Sequence, residues 1–123
     1  MANAEYMKIE SLEEDGYSVV SLTEDLTYEN FREFSTSVDA LLDEGVMDLI
    51  IDLEKVNYIT SRGLGTIVGA YTVLKRRGGN LIISGANEDI KKSLRITHLD
   101  KIIPVVENKS MAIQLLKAPE TAS

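Results

Sequence analysis

The sequence has no cysteine, no tryptophan, one histidine and two prolines. Without cysteine there are no disulfides and no thiolate ligands, a composition compatible with a reducing compartment. With a single histidine as well, any metal centre would rest on carboxylates alone. That histidine, His98, sits in the apolar-flanked turn Thr97-His98-Leu99 and reads as a packed, hydrogen-bonded residue rather than a base. No apolar run is long enough to cross a bilayer. Met1 to Met7 lacks the basic start and apolar core of a signal peptide, and nothing is repeated along the chain. Gly63-x-Gly65 lacks the third glycine of a dinucleotide loop and any Walker lysine. Gly78-Gly79 follows a helix, the wrong place for a phosphate cradle. Positive charge is also scarce: 13 basic residues face 20 acidic ones, a net charge of −7. Backbone binding to nucleic acid wants a basic surface, so no direct nucleic-acid role is expected. The one small basic cluster, Lys75-Arg76-Arg77, reads as a helix end favoured by the dipole. The expectation is a soluble cytoplasmic protein that is not an enzyme and needs no cofactor or metal.

What is present is an ordinary core: 44% of the 123 residues are apolar. The chain reads as one domain over 1–123, with a core of about 7–116 and a frayed tail over 117–123 behind Pro119. Met7–Glu10 and Tyr17–Leu22 read as strands, with Glu14-Asp15-Gly16 as a hairpin turn. Val20 and Leu22 share one face of the second strand, and Tyr17 and Val19 the other. Thr27 is a candidate N-cap for a helix running to about Asp43. Phe31, Phe34, Val38, Leu41 and Leu42 form its apolar stripe, which assigns both phenylalanines to the core. Gly45 ends that helix. Leu49-Ile50-Ile51 and Leu81-Ile82-Ile83 read as buried strands, on either side of a second helix that ends at Arg77. Asn87 caps a short third helix with Ile90 and Leu94 inward. Pro104 opens a last, weak strand at Val105-Val106. Asn108 caps a final helix with Met111, Ala112, Leu115 and Leu116 inward. The strand–helix alternation predicts parallel strands joined by right-handed crossovers.

The stretch Asp48 to Arg77 organises the rest. A buried strand leads through a turn to Thr60-Ser61-Arg62-Gly63-Leu64-Gly65 and then to an amphipathic helix. Ser61 is placed to be the N-cap of that helix. One reading makes it a capping serine and nothing more. The other notes that an oxygen anion there, including a phosphate on Ser61 itself, would stand over free backbone N–H groups. The glycines at 63 and 65 cost the helix about 1 kcal/mol each against alanine. That cost is accepted where something approaches the backbone closely, whether a ligand or the sheet.

Asp52-Leu53, Val56, Tyr58 and Thr60-Ser61-Arg62-Gly63-Leu64-Gly65 together resemble the signature of STAS domains, specifically the anti-sigma-factor antagonists of bacteria. The likeness continues through Gly78, Gly79, Leu81 and Leu94 to Ile102, and covers about Met7 to Leu116. It implies an α/β fold: a STAS-like mixed sheet of four to five strands with about four helices mainly on one face. It also implies a function. Such an antagonist binds an anti-sigma factor that is also a serine kinase, and so releases a sigma factor. Phosphorylation of the serine matching Ser61 breaks that complex, and a serine phosphatase resets it. The alternative is a STAS scaffold or regulatory interaction module whose serine is never modified.

Two departures from the family pattern bear on the site. The acidic residue before the phosphorylated serine is Thr60 here, which adds a second candidate acceptor. The residue after it is Arg62, which could pair with a phosphate on Ser61 or be simply solvated. The partner-binding set is expected to be Asp25, Asp52, Thr60, Ser61, Arg62 and Leu64, with Leu64 also readable as core and Asp52 equally as a turn former whose carboxylate accepts local backbone bonds. The C-terminal ends of the parallel strands would gather Asp25, Asp52, Ser61, Arg62 and Ser84 on one rim.

Overall fold

The computed structural model describes residues 7–12 and 16–117. The expected turn residues Glu14 and Asp15, and the tail beyond Lys117 with Pro119, lie outside the described residues.

Five strands form one sheet in sequential order. They are β1 (Met7–Leu12), β2 (Tyr17–Leu22), β3 (Asp48–Asp52), β4 (Asn80–Ser84) and β5 (Val105–Val106). β1 runs antiparallel to β2, and every later pair is parallel. Helices α1 (Phe31–Asp43), α2 (Ser61–Arg76) and α3 (Glu88–Ile96) connect the parallel strands, and α4 (Lys109–Lys117) follows β5. A sheet that always grows in the same direction through crossovers of one hand carries its helices on one face. Accordingly α1, α2 and α3 share a single buried cluster with Val20, Leu22, Leu49, Ile51, Leu81 and Ile83. α4 packs alone on the opposite face, its Ala112 against Tyr17, Val19, Ile50 and Ile82.

This two-sided cover explains the unbroken apolar runs. In β3, Leu49 and Ile51 face α1–α3 while Ile50 faces α4, and all three are fully buried. Parallel strands covered on both faces need apolar side chains at odd and even positions alike. Each such side chain contributes about 1.5–3 kcal/mol on burial.

The helix ends largely follow their capping chemistry, with departures from expectation at α1, in the facing of α4 and at His98. Asn87 accepts from the N–H of Ile90 at 2.8 Å and Asn108 from that of Met111 at 2.9 Å, both as expected. Gly45 adopts a positive φ just past α1. α1 itself begins at Phe31 rather than after Thr27. The residues between form a turn in which Thr27 accepts from the N–H of Glu29, and Asn30 accepts from that of Thr27. α4 is rotated from the expected facing. Met111 and Leu115 are exposed, while Ile113 and Leu116 join Ala112 against the sheet. His98 also differs: it is exposed and sits in the left-handed region at φ 63°, serving the turn after α3 by its backbone.

Candidate functional site

The loop after β2 and the loop after β3 are stapled to each other. The Asp25 carboxylate accepts from the N–H groups of Asn57 at 2.7 Å and Tyr58 at 3.2 Å. Leu26 donates to the Tyr58 carbonyl and accepts from the N–H of Thr60, both at 3.0 Å, which makes a parallel bridge between Leu26 and Ile59. The loop after β4 joins them, because the Asn87 amide donates to the carbonyls of Val56 and Asn57 at 3.4 and 3.3 Å. Three loops therefore form one pinned rim at the C-terminal ends of the central strands. Their backbone groups are largely satisfied within it, as buried polar groups must be.

The start of α2 is held on this rim by Thr60, not by Ser61. The Thr60 hydroxyl accepts from the N–H of Gly63 at 3.0 Å, and Thr60 has 0% exposure. Ser61 is the first helical residue and is exposed. The expectation that Ser61 caps α2 is corrected. The bridge between Leu26 and Ile59 draws Thr60 inward and sets the helix start one residue earlier. Thr60, the alternative phosphate acceptor and an expected contact residue, is thus buried, with its hydroxyl engaged in the cap. Ser61 is left with no hydrogen bond on its hydroxyl among the described residues.

The two glycines have different reasons. A Cβ on Gly63 would collide with the side chains of Leu26 and Ile59, so Gly63 lets α2 settle on the bridge. A Cβ on Gly65 would meet nothing within 4 Å. The close approach at Gly63 is thus internal packing, and Leu64 beside it is half-buried against the main core.

The single rim expected for the polar residues is two. Asp52 follows Ile50 on the α4 face of β3, and Ser84 follows Ile82 on the same face of β4. The Asp52 carboxylate accepts from the Ser84 hydroxyl at 3.1 Å and the Ser21 hydroxyl at 3.4 Å. Asp52 is 8% exposed and Ser84 0%. Asp52 thus ties three strand ends together under a shallow depression of about 220 Å³, which Lys55 and Lys109 also line. Its position as an exposed contact beside Ser61 is corrected by the strand alternation, which points it to the other face.

Sequence reasoning also missed an aromatic and cationic group beside Ser61. Phe31, placed in the core from its stripe, is only half-buried at the first turn of α1. The Arg62 guanidinium lies over its ring at 5.6 Å and that of Arg32 at 5.9 Å. Tyr28 meets the same ring edge-on at 6.4 Å. Tyr28 and Tyr58 are 64% and 53% exposed, which adds aromatic surface to this rim. The available signal was position: Phe31 opens the helix, at the end of its apolar stripe.

Among the described residues, no group of three His, Asp or Glu side chains could hold a metal ion. Nor is any helix long and apolar enough to cross a membrane.

The family model described as the STAS domain matches residues 8–112. An anti-sigma-B factor antagonist of Staphylococcus epidermidis is 30% identical over 101 residues, 82% of this chain and 94% of that protein. Among solved structures, a candidate anti-sigma factor antagonist of Thermotoga maritima has a TM-score of 0.85 at 24% identity, over 93% of this chain and 97% of that one. The Bacillus cell fate determinant SpoIIAA in its phosphorylated form has a TM-score of 0.74 at 16% identity, over 90% of this chain and 99% of that one. The two structural likenesses speak for the fold.

Proposed function

This chain belongs to the STAS domain family and, within it, to the bacterial anti-sigma-factor antagonists, and we propose that Ser61 is the residue through which it is switched. Membership makes it a regulatory protein that works by binding, not an enzyme. In the finer reading, the unmodified protein binds an anti-sigma serine kinase through the rim around Ser61, and the sigma factor is released. The kinase transfers the γ-phosphoryl group of ATP to the Ser61 oxygen. The bond to the leaving ADP breaks, and the hydroxyl proton passes to a base of the kinase. A serine phosphatase returns the hydroxyl and releases inorganic phosphate.

One observation carries this reading: Thr60 takes the capping duty, so the Ser61 hydroxyl is exposed and has no partner among the described residues. A phosphate there adds about −1.5 to −2 charges at pH 7. On the protein's own surface, at the first turn of a helix, that charge is well accommodated. Buried against a partner it would be costly to desolvate. The switch then works at the contact face without refolding the domain. The rigid loops around Ser61, pinned by Asp25 and Asn87, support this. The exposed Tyr28 and Tyr58 supply contact area of the kind interfaces favour.

The test is incubation with ATP and each candidate anti-sigma kinase of the same cell, followed by mass spectrometry and a binding assay. One phosphate on Ser61 with loss of the complex is expected. Ser61→Asp should weaken the complex at least tenfold, equivalent to about 1.4 kcal/mol. A complex that ignores the charge at Ser61 would leave a scaffold module instead.

A further inference from the structure

Arg62 and Arg32 come from different helices and rest on one ring, at 5.6 and 5.9 Å from the Phe31 centroid. Among the described residues neither guanidinium has a carboxylate within ion-pair distance. Two unneutralised cations therefore share a platform on a chain of net charge −7. Like charges on one ring repel each other, and the cation–π attraction that holds each at an exposed site amounts to only about 0.5–1 kcal/mol. An anion brought beside either guanidinium would offset that repulsion. Guanidinium groups are suited to the task, because they grip phosphate oxygens in pairs.

The residue next to Arg62 is Ser61, whose Cα is about 3.8 Å away along the backbone. We propose that Arg62, seconded by Arg32, is a built-in receptor for phosphate on Ser61. On modification the Arg62 guanidinium leaves the Phe31 face and pairs with the phosphate oxygens, and Arg32 follows on the other side. The phosphate is then held by the chain that carries it and shielded from a phosphatase. The Phe31–Tyr28 surface loses its cationic cover at the same time, so the rim changes shape as well as charge. The acids on the adjoining segments, Asp25 and Glu29, act in the opposite sense. Asp25 is already engaged by the N–H groups of Asn57 and Tyr58. This inference rests on the reading of Ser61 as the modified residue.

The experiment installs phosphoserine at position 61 of the full chain during synthesis, so that no kinase is needed. The phosphate is titrated by phosphorus NMR in the folded protein and in the same chain unfolded in urea. Ordinary phosphoserine has a second pKa of about 6. With the receptor in place the folded value should fall by about one unit. Arg62→Gln should abolish most of that fall, Arg32→Gln a smaller part, and Arg62→Lys should restore some of it. Dephosphorylation by a serine phosphatase should be several-fold faster in Arg62→Gln. Equal titration of the folded wild type, Arg62→Gln and the unfolded chain overturns the receptor. So does an Arg62→Gln effect confined to partner binding by the unmodified protein, which would make Arg62 a contact residue. If the installed phosphate is gripped but no kinase of the cell modifies Ser61, the switch reading fails and the receptor geometry stands. If a kinase modifies Ser61 but the titration is unshifted, only the receptor fails.

Discussion

The Ser61 rim and the Asp52 cluster are both polar, and both lie at the C-terminal ends of the same parallel strands. They differ in where their hydrogen bonds go. Asp52 accepts from Ser84 and Ser21 beneath the surface, and is 8% exposed. Ser61 is exposed and makes no side-chain bond among the described residues, because its neighbour Thr60 performs the capping. The first cluster joins β2, β3 and β4 at their ends and so belongs to the fold. The second presents a hydroxyl, two arginines and three aromatic rings on a backbone that cannot easily yield. A polar group satisfied from within stabilises its own chain; one left unsatisfied at a rigid surface is available to another molecule.

That contrast can be broken by three substitutions. Asp52→Ala should have the largest effect on stability, about 3 kcal/mol, since it strands the fully buried Ser84 hydroxyl and removes a charge-assisted pair. A urea unfolding midpoint unchanged in Asp52→Ala would show that the cluster does not hold the strand ends. Thr60→Ala should cost about 1–2 kcal/mol by removing the cap of α2. The loss should appear in the midpoint with no change of slope. Ser61→Ala should alter stability by no more than about 0.5 kcal/mol, as is usual for a surface site, while abolishing incorporation of phosphate from ATP. A destabilisation by Ser61→Ala as large as that by Thr60→Ala would erase the distinction between the two hydroxyls.

Much of the architecture was legible without coordinates. The apolar runs at Leu49–Ile51 and Leu81–Ile83, the caps at Asn87 and Asn108, and the glycine exits at 45 and 78 are local signals. Their meaning depends on neighbours within a few residues. Three misreadings had a common source. Thr60 and Ser61 are adjacent hydroxyl residues, and either can cap a helix. The choice was made by a bridge to Leu26, thirty-odd residues upstream in the chain. Phe31 belongs to the apolar stripe and packs against the main core, but it is only half-buried there and carries two arginines on its ring. Met111 and Leu115 lie on an apolar side of α4 that the packing of Ala112 turns outward.

By itself the sequence determined the order of elements, the apolar faces of β2 and α3, and the family signature from Asp52 to Gly65. All of these follow from periodicity, capping chemistry or residue identity, which act over short range. Only the tertiary structure decided that Asp52 and Ser61 face opposite sides of the sheet, that Thr60 is buried where Ser61 is exposed, and that two arginines from separate helices meet on Phe31. Each of these is a relation between distant segments, set by strand direction, sheet order and the seating of helices on the core.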